Sequence, residues 1–572
     1  MLVAAAGILW PSIDGVPFYT KGEPREAIVV QQMVAGEGLA LPLLGRGEIQ
    51  SKPPLFHWMG AAIGVAAGGV SETGVRAPSL LAGLLVIALV VAAGYRHFGT
   101  GAGVAAGVTL LTCLQFVQSA TAARVDMVLA AAIAVSLLAF LAAYADGRAT
   151  IPLAFYLGSA AAVLTKGPVG YALPLAVVAS FLAVRGDLGY LRERGRTAGL
   201  LLLALPLLWY AVAWLEGGQA FIDKLILKEN LYRIVDPDRV GAGHVEPAYY
   251  YVPALIGGFA PWSLLLPWVA ADAWKRRRLD DGGVRSFLVA WFAVTFIAFS
   301  MAGSKRPVYL LSCYPSMALL IGAWLARVAG PPHHCFHLPP RSALWAAHLL
   351  AVVLAVLAAL VAMQAAGVPT FASISPLLNP KDAMNLTALA GAVAERRAVV
   401  GLWVVTVAIT VVVLITATRR ARPDVAIAAV AFVVAATTAT VGATFLRDMA
   451  ARATIKPFML EVRERVPAGE PLYFYGRLKY LEYLGPAAEY YAGRSIGRAS
   501  AVDAVTGNAA GSGRVWFLAG GSSLSDLQER PSARHGRDIA RRSRVVVRHD
   551  YPGSPGREPL MLVVADDRPR VK

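Results

Sequence analysis

The chain has 572 residues, of which 57% are hydrophobic and 16% are charged, and its mean hydropathy is +0.57. A soluble protein of this size cannot bury so much apolar surface, so the composition excludes that class and indicates an integral membrane protein. The net charge of +17 does not indicate a nucleic-acid partner. The excess Lys and Arg lie in short loops between apolar runs, as in the cytoplasmic loops of membrane proteins. The cysteines, at 113, 313 and 335, imply no disulfide framework.

Apolar segments long enough to cross a membrane recur along the first 447 residues. We predict spans at 75–96, 103–121, 127–145, 151–165, 168–184, 198–216, 249–271, 284–303, 308–327, 343–366, 399–418 and 425–446. With a short apolar segment at 1–10, these give about 13 transmembrane helices. The apolar stretch 54–69 is short, and we predict a helix there that lies on the membrane surface.

The basic residues predict the orientation. Loops 185–196, 275–285 and 419–422 are rich in Lys and Arg, and placing them in the cytoplasm puts the N-terminus inside and the C-terminus outside. The opposite loops, among them 11–74 and 217–248, then hold six short polar clusters: 21–26, 51–54, 124–126, 166–168, the stretch around His244, and 304–306. Carboxylates and cations gathered on one face predict an active site there, whereas cations on both faces would indicate ordinary anchoring.

The composition becomes polar after residue 447. Apolar runs at 472–475, 515–519, 545–548 and 560–564 predict β-strands, and 478–491 has a helical pattern. The small polar residues of 499–513 predict a mobile loop. We therefore predict a mainly α polytopic membrane domain, residues 1–447, followed by an exterior soluble α/β domain, residues 448–572.

Basic side chains of the exterior clusters are candidates for binding a lipid phosphate, because charge-assisted hydrogen bonds to phosphate are strong. They are Lys52, Lys166, Lys305 and Arg306. Each could instead anchor a helix end by extending its charged head towards water.

The acidic residues also allow two interpretations. Asp126 opens an apolar run, so it is either a pocket carboxylate or a helix cap that pairs with Arg124 beside it. Glu23 and Glu26 precede a short amphipathic pattern at 27–33, where acidic residues favour a helix N-terminus. Arg25 either contacts an acceptor or pairs with Glu26.

Two histidine-containing stretches have no firm assignment. His244 precedes a run of tyrosines at 249–251, which indicates an aromatic belt at the membrane interface or rings that stack on a sugar. The loop 333–337 holds three histidines and a cysteine, a metal-like composition, but we predict it on the cytoplasmic side, away from the other clusters. The sequence contains no Walker motif, dinucleotide fingerprint or His-Glu-x-x-His, so nothing indicates nucleotide-driven chemistry.

The order of these clusters resembles the bacterial branch of the protein O-mannosyltransferase and lipid A aminoarabinose transferase family, whose members are membrane glycosyltransferases of the GT-C class. The resemblance covers roughly residues 1–330. It rests on Glu23-Pro24-Arg25, the stretch 33–38, Lys52-Pro53-Pro54-Leu55 with Trp58, the stretch 74–79, Arg124-Val125-Asp126, Lys166-Gly167-Pro168, His244, Pro261-Trp262-Ser263, and Ser304-Lys305-Arg306 with Tyr309.

The resemblance implies a polyprenyl-phosphate-linked sugar donor and transfer, with inversion, to a periplasmic glycolipid such as lipid A, a glycan or a protein hydroxyl. It implies a bacterial inner membrane location with the active site facing the periplasm. Glu23 and Asp126 match the family's two acidic positions and are the candidate catalytic residues. Lys52, Lys305, Arg306 and Tyr309 match its donor site, to which we add Lys166. The candidates for the acceptor or the pocket are Arg25, Glu26, Arg124 and His244.

The chain departs from the family at two positions. Gly22 stands where the family often has a second acidic residue, and Ser51 stands where the metal-binding branch has Glu. His244 matches a histidine that can bind metal in that branch. A divalent metal is therefore a candidate cofactor, but it would lack the Glu ligand because position 51 is Ser.

Two other functions fit the same membrane architecture. A transporter or flippase of lipid-linked sugars would carry ionisable residues near the middle of its spans and an internal repeat, and neither is evident. A polymerase or ligase of cell-envelope polysaccharide would share the donor chemistry and would differ in the length of its acceptor.

Overall fold

The computed structural model describes residues 1–20, 22–45, 47–148, 150–194, 197–232, 245–276, 283–329, 341–377, 380–420, 422–475, 478–499, 514–521, 543–550 and 559–566. The predicted site residue His244, the cysteine- and histidine-rich stretch 333–337 and most of the predicted loop 499–513 lie outside these ranges, as does Lys21 of the first cluster.

The first part of the chain is almost entirely helical. Its helices, α1 to α11, are Leu2–Leu9, Glu23–Val34, Leu55–Ala66, Glu72–Phe98, Thr100–Leu111, Leu114–Ala120, Val125–Ala145, Leu153–Lys166, Val169–Arg185, Gly189–Arg194 and Thr197–Phe221. A π-helix, Ile222–Tyr232, continues α11. A short β-hairpin of two-residue strands, β1 (Leu43–Leu44) and β2 (Glu48–Ile49), lies between α2 and α3.

Further α-helices follow at Tyr251–Gly258, Leu266–Lys275, Val284–Met301, Tyr314–Ala329, Arg341–Ala365, Thr370–Ile374, Pro380–Glu395, Arg397–Arg419, Pro423–Thr440, Leu446–Ala453 and Lys456–Arg465. Short 3-10 helices at Trp10–Ser12, Ala248–Tyr250, Trp262–Leu265, Pro307–Cys313 and Ser375–Leu377 precede or follow some of them, and Val441–Phe445 is a π-helix.

Seven helices in the described ranges are long and apolar enough to cross a membrane, and the number is nine if each of two bent pairs counts as one span. The predicted span 103–121 is one of these pairs, in which α5 and α6 meet at 69°. The predicted span 249–271 is the other, with a bend of 110° between 248–258 and 262–275. The chain is therefore a multi-pass membrane protein, and the prediction of about 13 spans is not confirmed. Helices α1, α3, α8 and α9 are apolar but shorter than 18 residues.

Helix α7 lies inside the bundle. Over its most apolar 18 residues, 78% of α7 is buried inside the protein, whereas the figure for His348–Ala365 is 17%. The sides of His348–Ala365 are therefore free to face lipid. Phe140 of α7 packs against a ring of aromatic side chains from neighbouring helices, among them Phe155, Phe181 and Phe287. α7 also packs against α4 and α8, which fixes where its N-terminal residue Asp126 lies.

The last part of the chain forms a five-stranded mixed sheet in the order β4-β3-β5-β7-β6. The strands β3 to β7 are Leu472–Tyr475, Gly497–Ala499, Arg514–Gly520, Ser543–His549 and Leu560–Asp566. β3 is parallel to β4 and β5, and β7 is antiparallel to β5 and β6. The four predicted strands and the predicted helix, here Leu478–Ala492, are confirmed, whereas the three-residue β4 was not predicted. The predicted domain boundary at 447 falls inside the helix Leu446–Ala453.

The helix Leu478–Ala492 of this sheet domain contacts the segment that precedes α2. The Phe18 backbone N–H donates a hydrogen bond of 2.9 Å to the Tyr491 hydroxyl, which donates to Glu72 at 3.2 Å. Lys456 pairs with the same carboxylate at 2.6 Å. The Phe18 ring packs edge-on against Tyr490, with centroids 5.2 Å apart. The sheet domain thus holds the segment that leads into α2.

Candidate functional site

The site lies where several helix ends meet. α2, α4 and α7 begin there, α8 ends there, and the turn between Val284–Met301 and Pro307–Cys313 closes it. Ser71 caps α4, with its hydroxyl accepting a 3.0 Å hydrogen bond from Gly74 N. Of the six predicted clusters, the described residues of five contribute to this one region through the contacts below, and His244 lies outside the described residues.

Glu23, the first residue of α2, forms a buried two-point ion pair with Arg76 of α4. Arg76 Nε donates to Oε1 at 2.7 Å, and a terminal nitrogen donates to Oε2 at 3.2 Å. Ala123 N donates to Oε1 at 3.2 Å, and the Thr20 hydroxyl donates to Oε2 at 3.0 Å. Burial alone would raise the pKa of Glu23, but the Arg76 charge and these hydrogen bonds lower it. Both oxygens of Glu23 are therefore engaged within the protein.

Glu26, one turn further along α2, also has both oxygens engaged. Oε1 accepts from Lys52 Nζ at 2.9 Å, and Oε2 lies 2.7 Å from Nε2 of the fully buried His57. Gln50 adds a longer contact of 3.4 Å to Oε2. Burial would raise the pKa of Glu26, but Lys52 and His57 hold it well below its usual range. The alternative in which Glu26 pairs with Arg25 is wrong, because Lys52 takes that place.

Asp126, in the first turn of α7, pairs with Lys166, the last residue of α8. The bond goes to Oδ1, and Oδ2 has no hydrogen-bond partner among the described residues. The ammonium of Lys166 also lies 3.9 Å from the centroid of the Tyr309 ring. The predicted pairing of Asp126 with Arg124 is not the one found, because α8 ends directly beside the start of α7. Asp126 differs from the two glutamates in keeping one oxygen open.

Lys305 and Arg306 lie in the turn that closes the site. An antiparallel bridge between Val245 and Ser304 brings the chain segment after residue 244 alongside this turn. Lys305 is 5% exposed, and its ammonium donates to the backbone oxygen of Glu246 at 2.8 Å. The Arg306 backbone N–H donates to the Tyr251 hydroxyl at 3.2 Å. This turn is therefore fixed by main-chain contacts.

Some basic side chains of the site have no ion-pair partner in the described part of the chain. The guanidinium of Arg306 has a buried Nε with no hydrogen-bond partner there. Arg25 and Arg124 are partly exposed, and no carboxylate pairs with either of them within the described ranges. Basic side chains outnumber the carboxylates Glu23, Glu26 and Asp126 in this region, so it has excess positive charge and suits an anionic ligand.

Sequence reasoning missed several members of the site. Arg76 was quoted only as part of a motif, although an arginine inside a long apolar helix is itself a sign of a functional or structural polar site. His57 lies between Leu55 and Trp58 of a quoted motif, but it was not itself singled out. Glu246 contributes through its backbone oxygen, which no sequence pattern reveals. Tyr251 was expected in an aromatic belt or among rings that stack on a sugar, and its hydroxyl accepts a hydrogen bond from the Lys305-Arg306 turn.

The candidate metal is not supported within the described ranges, where no group of three or more His, Cys, Asp or Glu side chains is arranged to hold an ion. Glu48, the acidic residue three positions before Ser51, pairs instead with Lys224 at 3.0 Å. A metal site at His244 stays a prediction, because that residue is outside the described part of the chain.

Comparison with known proteins agrees with the motif resemblance. Residues 51–214 match the family model described as dolichyl-phosphate-mannose-protein mannosyltransferase. An undecaprenyl phosphate-alpha-4-amino-4-deoxy-L-arabinose arabinosyl transferase of Pseudomonas fluorescens is 28% identical over 305 residues, which are 52% of this chain and 54% of that protein. An uncharacterised protein of Aquifex aeolicus is 28% identical over 281 residues, 49% of this chain and 54% of its own. The chain thus spans about half the length of the curated relatives it matches.

A solved structure extends the comparison to the whole fold. The crystal structure of ArnT from Cupriavidus metallidurans bound to undecaprenyl phosphate superposes with a TM-score of 0.72 at 20% identity, covering 98% of this chain and 97% of that one. The apo structure of the same protein gives the same TM-score. The sheet domain is therefore part of the shared fold. Together, the similarity of residues 51–214 to that family and this superposition show that the chain has a membrane fold of the GT-C type, as its motifs predicted.

Proposed function

We propose that this protein is a membrane glycosyltransferase that moves a sugar from a polyprenyl-phosphate-linked donor to an acceptor hydroxyl on the periplasmic face of a bacterial inner membrane. The names of its relatives support undecaprenyl phosphate as the carrier and 4-amino-4-deoxy-L-arabinose as the first sugar to test. Lipid A, a glycan and a protein hydroxyl are the acceptors to compare. Residues 1–447 would form the catalytic membrane domain, and 448–572 the exterior domain.

The observation that carries the proposal is the open oxygen of Asp126. Glu23 and Glu26 have both oxygens occupied by protein donors, whereas Asp126 uses Oδ1 for Lys166 and keeps Oδ2 open among the described residues. A general base needs a free oxygen within hydrogen-bond reach of the hydroxyl it deprotonates. We therefore assign the base to Asp126. Glu23, the other candidate catalytic residue, would support it by tying α2 and α4 to Ala123, which precedes α7.

The basic side chains would hold the donor phosphate. Lys52 gives one of its three N–H groups to Glu26, so the others can donate to phosphate oxygens. Lys305 and Arg306 lie on the turn that closes the site, and Tyr309 follows them. These cations would stabilise the negative charge that develops on the phosphate in the transition state. Lys166, fixed between Asp126 and Tyr309, would keep the carboxylate ionised.

The reaction balances without an added reagent. The acceptor oxygen forms a bond to the anomeric carbon as the bond from that carbon to the phosphate oxygen breaks. The bonding pair leaves with the polyprenyl phosphate, and the hydroxyl proton passes to Asp126 Oδ2. Direct displacement inverts the anomeric centre, by analogy with inverting glycosidases. Arg25, Arg124 and His244 stay candidates for contacting the acceptor.

The test uses purified full-length protein in detergent, supplied with undecaprenyl-phosphate-linked sugars and envelope acceptors. Mass spectrometry follows the release of free undecaprenyl phosphate. Removing a general base costs about 10²- to 10⁴-fold in rate, so Asp126→Asn should lose that much. Asp146→Asn is the matched control, because Asp146 follows the other end of α7 and pairs with Arg96 and Arg148.

The controls separate the outcomes. Release that needs an acceptor, Asp126 and Lys52, and that survives Asp146→Asn, supports a transferase. Full activity in folded Asp126→Asn would remove Asp126 from the mechanism. No release with any donor from folded wild-type protein would overturn the proposal and favour a transporter of lipid-linked sugars.

A further inference from the structure

The proposed function gives no role to His57, which is one of the most deeply buried polar side chains of the site. His57 lies in the first turn of α3, is 0% exposed, and places Nε2 2.7 Å from Glu26 Oε2. A carboxylate ion only accepts hydrogen bonds, so Nε2 carries the hydrogen. Nδ1 is buried and has no hydrogen-bond partner in the described part of the chain.

Glu26 joins His57 to Lys52. Its two oxygens bind different partners, with Lys52 on Oε1 and His57 on Oε2. The Lys52 side chain is 28% exposed, whereas the side chain of Glu26 is 10% exposed. The histidine and the carboxylate are thus enclosed, and the ammonium points to the open side. A flexible lysine needs such a fixed partner if its charge is to stay at one place.

Helix packing holds the histidine and the carboxylate together. Gly60 of α3 lies so close to Val30 of α2 that an added Cβ would come within 2.8 Å of a Val30 methyl. This contact is one turn from His57 on α3 and one turn from Glu26 on α2. The position of His57 relative to Glu26 is therefore set by a close helix–helix approach and does not depend on a mobile loop.

We propose that His57 is a positioning residue for donor binding: through Glu26 it fixes the ammonium of Lys52 where the phosphate of the polyprenyl carrier binds. This inference rests on the proposed function, since it assigns the Lys52 side chain to the carrier phosphate. His57 itself touches neither the phosphate nor the sugar. Removing its N–H leaves Glu26 free to turn, and Lys52 turns with it.

The experiment measures binding of undecaprenyl phosphate to the full-length protein in nanodiscs, together with donor KM and kcat. His57→Leu removes the N–H and should weaken carrier binding about tenfold, because a preorganised contact becomes mobile. Donor KM should rise by the same factor with kcat nearly unchanged. His57→Gln keeps an amide donor and should recover most of the affinity. Ser159→Ala removes a different buried hydrogen bond, the 2.9 Å contact with Ser136 between α8 and α7, and should change neither quantity.

A double-mutant cycle separates positioning from general loss of structure. If His57 acts through Lys52, His57→Leu adds nothing to the binding loss of Lys52→Ala. Losses that simply add, or unchanged carrier binding in folded His57→Leu, would overturn the inference. If His57→Leu fails to fold, His57→Gln is compared with Glu26→Gln. Only Glu26→Gln removes the charge that holds Lys52, so carrier binding should weaken in that variant and largely persist in His57→Gln. Wild-type protein that binds no undecaprenyl phosphate would instead contradict the proposed function.

Discussion

Glu23 and Arg76 form a two-point ion pair that is almost wholly closed to solvent, with each side chain 2% exposed. Arg76 also donates to the backbone oxygen of Val16. The pair therefore joins the segment before α2 to the N-terminal part of α4, and Glu23 extends the link to Ala123 before α7. The two candidate catalytic residues, Glu23 and Asp126, are therefore linked through Ala123, which lies three residues before Asp126.

Breaking this pair should destabilise the protein strongly. Arg76→Leu leaves the Glu23 carboxylate buried without its partner, which typically costs about 3–5 kcal/mol. Thermal unfolding in detergent should show a clear fall in the midpoint. Adding Glu23→Gln to Arg76→Leu should restore part of that loss, because the uncompensated charge disappears. A midpoint for Arg76→Leu equal to that of wild type would contradict the structural role of the pair.

Tyr309 should act through its ring. Its centroid lies 3.9 Å from the Lys166 ammonium, and such contacts are worth about 0.5–2 kcal/mol. Tyr309→Phe keeps the ring and should retain transfer activity within about threefold, whereas Tyr309→Leu should lower it by roughly 3- to 30-fold. Initial rates at saturating acceptor measure the difference. Equal losses in both variants would show that the hydroxyl matters more than the ring.

The charge of Glu26 should persist well into acid. Its pKa lies well below the usual value of 4.5 because Lys52 and His57 stabilise the ionised form. A carboxylate with a lowered pKa contributes stability above its unfolded pKa and loses that contribution as the pH falls through the folded value. The difference in unfolding free energy between wild type and Glu26→Gln should therefore be constant from pH 8 to about pH 5 and shrink below that.

Thermal or denaturant unfolding at several pH values measures this difference. Asp424→Asn provides a control, because Asp424 is an exposed acid that pairs only with its neighbour Arg422 among described residues. Its substitution should have little effect at any pH, as is usual for surface ion pairs. A Glu26 effect that disappears already between pH 7 and 6 would contradict the lowered pKa.

The sheet domain should protect the segment that precedes α2. Tyr491→Phe removes the hydroxyl that links Phe18 N to Glu72, a loss of about 1 kcal/mol or more for each buried partner left unpaired. Limited proteolysis should then cut the segment before α2 faster than in wild type. Arg465→Ala is the control, since it breaks an exposed pair with Glu461 on the same domain. Unchanged cleavage in Tyr491→Phe would mean that this contact does not hold the segment.

Much of the fold followed from the sequence because apolar length and β-type patterns are local properties. The predicted strand at 472–475 and the helix following it are present as expected. The bends inside 103–121 and 249–271 were not expected, because each bent pair reads in the sequence as one apolar run of spanning length. At the site, the structure brings described residues of five predicted polar clusters into one region, but the partners of these residues were not predicted. Asp126 pairs with Lys166 and not with its neighbour Arg124, and Glu26 pairs with Lys52 and not with Arg25.

The sequence by itself determined that this chain is a multi-pass membrane protein with a GT-C type fold, and it predicted the strands of the sheet domain. Hydrophobic length and short motifs suffice for that. Only the tertiary structure decided which carboxylate keeps an open oxygen. The partners of Glu26, Asp126 and Glu23 lie 26, 40 and 53 residues away. Such pairs form only where helix packing brings distant helix ends together, and the resulting contacts depend on three-dimensional positions that no local pattern encodes.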